Sequence, residues 1–137
     1  MKRLLTYWQL LRLPNLLIVA ATMYLVRYFV VLPLLDVYGF SLQLGHFTFA
    51  ALVGATAALT AAGYVINDYF DHKTDMVNRP QRVVVGVQTS RREAMAWHLA
   101  LNAVGVVLGF YVAWKISLWQ IGFIFPLVAG LLWYYST

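Results

Sequence analysis

Apolar residues in this chain neither alternate nor recur on one face. They run together in four long blocks separated by short polar stretches. Crossing a bilayer takes about 20 helical residues. The blocks near residues 14–35, 47–66, 94–114 and 118–135 are about that long. The pattern therefore predicts an all-α protein, a polytopic transmembrane helical bundle with four spans here. Pro14 suits the first turn of the first span, where its missing N–H costs no hydrogen bond. No β alternation, internal repeat or low-complexity linker interrupts the reading. Composition points the same way: the chain is 62% hydrophobic and only 11% charged, against roughly 25% charged in soluble domains.

Charge sets the expected orientation. Lys2, Arg3 and Arg12 precede the first block, and Lys73, Arg79, Arg82, Arg91 and Arg92 lie between the second and third. The remaining connections hold only Lys115. Basic residues favour the cytoplasmic side, so the N-terminus and the 67–93 loop are expected in the cytoplasm, with the spans in the inner (plasma) membrane. The net charge is +5, but the basic residues sit at segment ends, which argues against a nucleic-acid partner. The absence of cysteine excludes disulfides, thiol catalysis and Cys-ligated metals. The run after Met1-Lys2-Arg3 has no convincing small-residue cleavage site and reads as a retained span. Arg27, inside that span, either snorkels outward or faces a partner helix or cavity. The second block is rich in small residues, from Ala50 to Gly63, which let helices approach closely in lipid; it is expected inside the bundle. The five tryptophans fall mostly near span ends, as an interfacial belt does.

The stretch NDYFDHKTDMVNRP, residues 67–80, holds three of the five acidic residues. On a helix, Asn67, Asp71, Asp68 and Asp75 point at about 0°, 40°, 100° and 80°, so they share one face. Carboxylates gathered near lipid repel one another and are costly. A hard divalent cation would offset this, and magnesium takes oxygen ligands from one or two carboxylates, waters and substrate phosphates. The Asn67 carbonyl could ligate without adding charge. The competing reading is a solvated interfacial loop whose acids pair with Lys73, Arg79 and Arg82.

Asn67-Asp68-x-x-Asp71-x-x-x-Asp75, followed by Asn78-Arg79-Pro80 at the end of the second span, resembles the first aspartate-rich motif of the UbiA-type intramembrane prenyltransferases. The opening Leu11-Arg12-Leu13-Pro14-Asn15 is similar to the family's start. The resemblance implies about nine transmembrane helices and a second aspartate-rich motif. Residues 1–137 would then be the N-terminal part of one domain, its C-terminal half missing here or supplied by another chain. It also implies magnesium-dependent transfer of a prenyl group from an isoprenyl diphosphate to a lipophilic acceptor, geranylgeranylglycerol phosphate or an aromatic quinone precursor. Under it, Asp71 and Asp75 are catalytic, and Asn67, Asp71 and Asp75 face the metal. Asp68, Arg79, Arg82, Arg12 and Asn15 are candidates for substrate contact, Asp68 also as a metal ligand or an orienting group. The alternatives are positive-inside anchoring for Arg79 and Arg82 and snorkelling for Arg12. Tyr64 either lines the prenyl channel or packs. His46 and His98 are expected in structural roles. Two other classes stand beside this: a cation-binding transport module, whose acids would more naturally lie at the midplane, and a non-catalytic bundle subunit.

Overall fold

The computed structural model describes residues 2–137; the side chains of Lys2, Arg3, Leu4 and Arg82 lie outside that description. Seven α-helices follow one another: α1 (Lys2–Leu10), α2 (Leu13–Val26), α3 (Leu32–Val37), α4 (His46–Phe70), α5 (His72–Asn78), α6 (Arg91–Lys115) and α7 (Ile124–Ser136). The described residues are 82% helical with no strands, so the protein is an all-α bundle. Three rods, Leu13–Val37, His46–Phe70 and Arg91–Lys115, are each 25 residues long and apolar enough to cross a membrane. The protein is integral to a membrane.

The first rod joins α2 to α3 through a π-helical turn at Arg27–Val31. The N–H of Leu32 bonds back to the carbonyl of Arg27, five residues earlier. Pro33 follows at once. Proline lacks an N–H, and its ring collides with the carbonyl four residues back in a regular helix. The wider turn moves that carbonyl away. Arg27 does not snorkel: it is buried, donates from Nη2 to the Leu44 carbonyl at 2.8 Å, and stacks 4.4 Å over the Phe49 ring.

The fourth apolar block is not one continuous helix. After α6, Ser117 takes a left-handed conformation (φ 58°). A 3-10 turn then spans Trp119–Phe123 before α7 begins. Pro126 fits the first turn of α7. The α-helical part has 13 residues and rises about 20 Å, less than the hydrocarbon thickness.

The core sits where α4, α6 and α7 meet, and glycines set the spacing. A β-carbon at Gly105 would stand 2.7 Å from the Leu59 side chain and 3.2 Å from the Ala55 carbonyl, and one at Gly63 3.3 Å from Leu132. His98, buried on α6, donates from Nδ1 to the Ala62 carbonyl of α4 at 3.0 Å and accepts from Asn102 at Nε2. A second cluster lies at the aspartate end. There Leu10 of α1, Val65 of α4, Ala94 of α6 and the turn residues Val84 and Val85 bury one another. Ser90 caps α6 by accepting from the Glu93 N–H at 3.1 Å, and the Glu93 carboxylate accepts from the Tyr7 hydroxyl. The α6 cap thus also ties α1 down.

Gly105→Val tests the packing. Overpacking of this kind costs about 1–3 kcal/mol, so thermal unfolding in detergent should occur at a clearly lower temperature than in the wild type. An unchanged Tm would show that α4 and α6 are not held at this distance.

Candidate functional site

The acidic stretch lies where α4 hands over to α5. The helix yields for one residue at Asp71 (φ −74°, ψ −2°), and α5 carries on to Asn78. Arg79 then leaves helical geometry (φ −146°, ψ 58°), as a residue before proline must, because the ring of Pro80 disfavours the α conformation there. The region 67–93 is therefore mostly structured. It holds the end of α4, α5, a 3-10 turn at Pro80–Arg82, and a tight turn that buries Val83, Val84 and Val85.

Asn67, Asp68, Asp71, Asp75, Arg12 and Arg79 line one polar cavity of about 680 Å³. Asn67, Asp68 and Asp75 are half-buried there, and Asp71 is exposed. Arg12 Nη2 donates to Asp68 Oδ1 at 2.7 Å, with the Asp68 side chain 16% exposed. Asn67 donates from Nδ2 to Asp71 Oδ2 at 2.7 Å. That bond uses the amide nitrogen and leaves the Asn67 carbonyl oxygen as the group offered elsewhere. Asn15 is exposed on the first turn of α2 and does not line the cavity. The Arg82 side chain lies outside the described residues.

Arg12 reaches Asp68 from a strained corner. Its backbone is left-handed (φ 48°, ψ 51°) between α1 and α2, a conformation uncommon for a residue with a β-carbon. The guanidinium also lies 4.9 Å over the Tyr64 ring. Its two partners hold it across the top of α4.

A second, apolar groove of about 600 Å³ opens beneath the same two residues, Arg12 and Asn67. On the α4 side it is walled by Leu52, Thr56, Leu59, Thr60, Gly63 and Tyr64, on the α7 side by Phe125, Val128, Leu132 and their neighbours. Thr56 and Thr60 donate their hydroxyls to the carbonyls of Leu52 and Thr56 four residues earlier, at 2.9 and 2.8 Å. Their polar atoms are thereby satisfied within the helix. Tyr64 is a groove wall as well as a packing residue. The polar cavity and the apolar groove share a mouth.

His72, Gln9 and Gln81 also line the polar cavity, and sequence reasoning left them out. His72 had a signal: on the helical wheel it falls about 40° from Asp68 and 60° from Asp75. Its ring seats on Gly86 (φ +85°), where a β-carbon would stand 2.6 Å from the imidazole Cε1. Gln9 and Gln81 had none, since tertiary packing alone brings them in.

The oxygen donors suit a hard cation. Among the described residues no three His, Asp or Glu side chains stand close enough to form a metal cage. Magnesium asks for fewer protein ligands than that. Three carboxylates against the guanidiniums of Arg12 and Arg79 leave the lining net negative. A bare diphosphate would be repelled, and a divalent cation would reverse that sign.

The model of the UbiA prenyltransferase family matches residues 16–137. A digeranylgeranylglyceryl phosphate synthase of Methanothermobacter thermautotrophicus is 41% identical over 70 residues, 50% of this chain and 25% of that protein. One of Ignicoccus hospitalis is 47% identical over 64 residues, 46% and 21%. One of Hyperthermus butylicus is 36% identical over 95 residues, 69% and 30%. The chain thus matches about a quarter of the length of these curated relatives. No solved structure matches it.

The Arg12–Asp68 contact can be weighed by a double-mutant cycle with Arg12→Met and Asp68→Asn. Arg12 is 43% exposed, so solvent screening keeps the expected coupling to about 0.5–1.5 kcal/mol of unfolding free energy. Strictly additive effects would show that the pair contributes nothing beyond its separate members.

Proposed function

The chain belongs to the UbiA prenyltransferase family, and on that footing we propose that it forms the donor site of an intramembrane enzyme transferring a prenyl group from an isoprenyl diphosphate to a lipophilic acceptor. The observation that carries this reading is the shared mouth. A polar, oxygen-rich cavity and an apolar groove meet at Arg12 and Asn67, which suits a molecule with a diphosphate at one end and hydrocarbon at the other.

The roles follow from the contacts. Arg12 neutralises Asp68, and Asp71 and Asp75 would then form the anionic face: among the described residues neither makes an ion pair. Asn67 lines the same cavity, and its bond to Asp71 uses the amide nitrogen, so its carbonyl oxygen would be the group offered to a metal. Asn67, Asp71 and Asp75 would hold magnesium, which when bound supplies the charge neutralisation that makes diphosphate a leaving group. Arg79 lines the same cavity and would contact the phosphate oxygens, where guanidinium geometry fits. In the transfer the allylic C–O bond breaks and diphosphate leaves with the bonding electrons. The acceptor's hydroxyl oxygen bonds to the same carbon and gives up its proton to the departing diphosphate. The groove walls shield the electron-poor carbon from water that would otherwise capture it.

The proposed acceptor is geranylgeranylglycerol phosphate; the names of the relatives support it over an aromatic quinone precursor. The proposed location is the inner (plasma) membrane with the aspartate cavity on the cytoplasmic side. Support comes from the basic residues concentrated at that end.

The test uses the full-length protein in detergent with magnesium, labelled geranylgeranyl diphosphate and both acceptor classes in parallel. The expected result is product with geranylgeranylglycerol phosphate, abolished by EDTA, and a loss of about a hundredfold or more in Asp71→Asn and Asp75→Asn. Activity that survives both substitutions would remove these carboxylates from the mechanism. Product with an aromatic acid alone would overturn the acceptor.

A further inference from the structure

The apolar groove has a defined far end. Along α4 its wall runs from Asn67 at the shared mouth to Leu52, and between these residues the helix rises about 22 Å. That is close to the reach of a twenty-carbon prenyl chain, which has sixteen carbons along its main chain. On the opposite wall the lining of α7 stops at Phe125 and Ile124. Phe125 is 9% exposed and packs in the buried cluster with Ala55 and Leu59 of α4.

The Phe125 ring fits only because α6 makes room for it. A β-carbon at Gly109 would stand 2.1 Å from Phe125 Cγ and 2.3 Å from Cδ2. These atoms are the root and body of a rigid ring, not the tip of a flexible chain. The overlap cannot be relieved by a small adjustment, and any side chain at 109 must displace the ring. Gly109 is therefore a recess, and its depth decides how far the ring stands into the groove.

We propose that Phe125, seated in the Gly109 recess, is the residue that sets the length of prenyl chain the groove accepts. This rests on the reading that the groove holds the donor's tail. Removing the ring extends the groove past its present end toward α6. A larger ring shortens it, and so does a methyl group at 109, which pushes Phe125 outward without altering Phe125 itself. Since Phe125 lies at the end of the groove remote from the aspartates, it acts on chain length and not on the diphosphate.

The experiment measures affinities of the full-length protein, with magnesium, for geranyl, farnesyl, geranylgeranyl and geranylfarnesyl diphosphates, read as ratios within each variant. Phe125→Ala should favour the twenty-five-carbon donor over the twenty-carbon one by about tenfold relative to wild type. Phe125→Leu makes the same comparison should the alanine variant not fold. Phe125→Trp and Gly109→Ala should each shift preference about tenfold toward the fifteen-carbon donor. Combining Gly109→Ala with Phe125→Ala should cancel that shift, a rescue that general loss of packing would not give. All four donors binding every variant with the wild-type ranking would overturn the assignment of Phe125 and leave the donor site standing. Failure of the wild type to bind any of them would overturn the donor site, and the length gauge with it.

Discussion

A carboxylate at the mouth of an apolar bundle has to be compensated, and here the compensation for Asp68 comes from Arg12. The pairing draws the corner between α1 and α2 over the end of α4 and holds a left-handed backbone at a residue that carries a β-carbon. Without an attractive partner, such a conformation would relax. The same guanidinium covers Tyr64 and forms part of the walls of both the polar cavity and the apolar groove. One electrostatic contact thus ties the α1–α2 corner to the end of α4 at the point where the polar cavity meets the apolar groove.

Around that contact the aspartate end is built as an interlocked surface layer. Leu10 buries itself against Val84, Val85 and Ala94. Tyr7 reaches the carboxylate of Glu93, whose backbone N–H is the one that Ser90 caps at the start of α6. Gly86 receives the ring of His72. Each link joins segments apart in sequence, and together they tie turns and short helices into one wall. Inside the membrane the device differs. Apolarity alone gives no drive for helices to associate in lipid, and close approach over Gly54, Gly63 and Gly105 provides the packing that α4, α6 and α7 require.

Where the physics is local, the sequence was readable. Three of the four apolar blocks became the long rods because length and apolarity suffice to specify a span. The single face of Asn67, Asp68, Asp71 and Asp75 followed from helical spacing, since the helix runs almost unbroken through Asp71. The fourth block shows the limit of that reading: apolarity shows that a segment can lie in lipid, but not that its backbone is α-helical throughout, and Trp119–Phe123 form a 3-10 turn before α7 begins. Arg27 could not be assigned, because its partners, the Leu44 carbonyl and the Phe49 ring, belong to the next element. Asn15 sat in a matching opening yet does not line the cavity, since motif position carries no information on which way α2 turns its first residues. Gln9 and Gln81 were invisible for the converse reason: they reach the cavity through tertiary placement alone.

The recess at Gly109 has a consequence on the scale of descent. Two residues that share one volume cannot drift separately. A lineage that gained a side chain at 109 while keeping a phenyl ring at 125 would pass through a misfit, so the two positions should change together or not at all. Among relatives, then, the pair should behave as a single inherited character: glycine beside an aromatic ring, or a larger residue beside a small one.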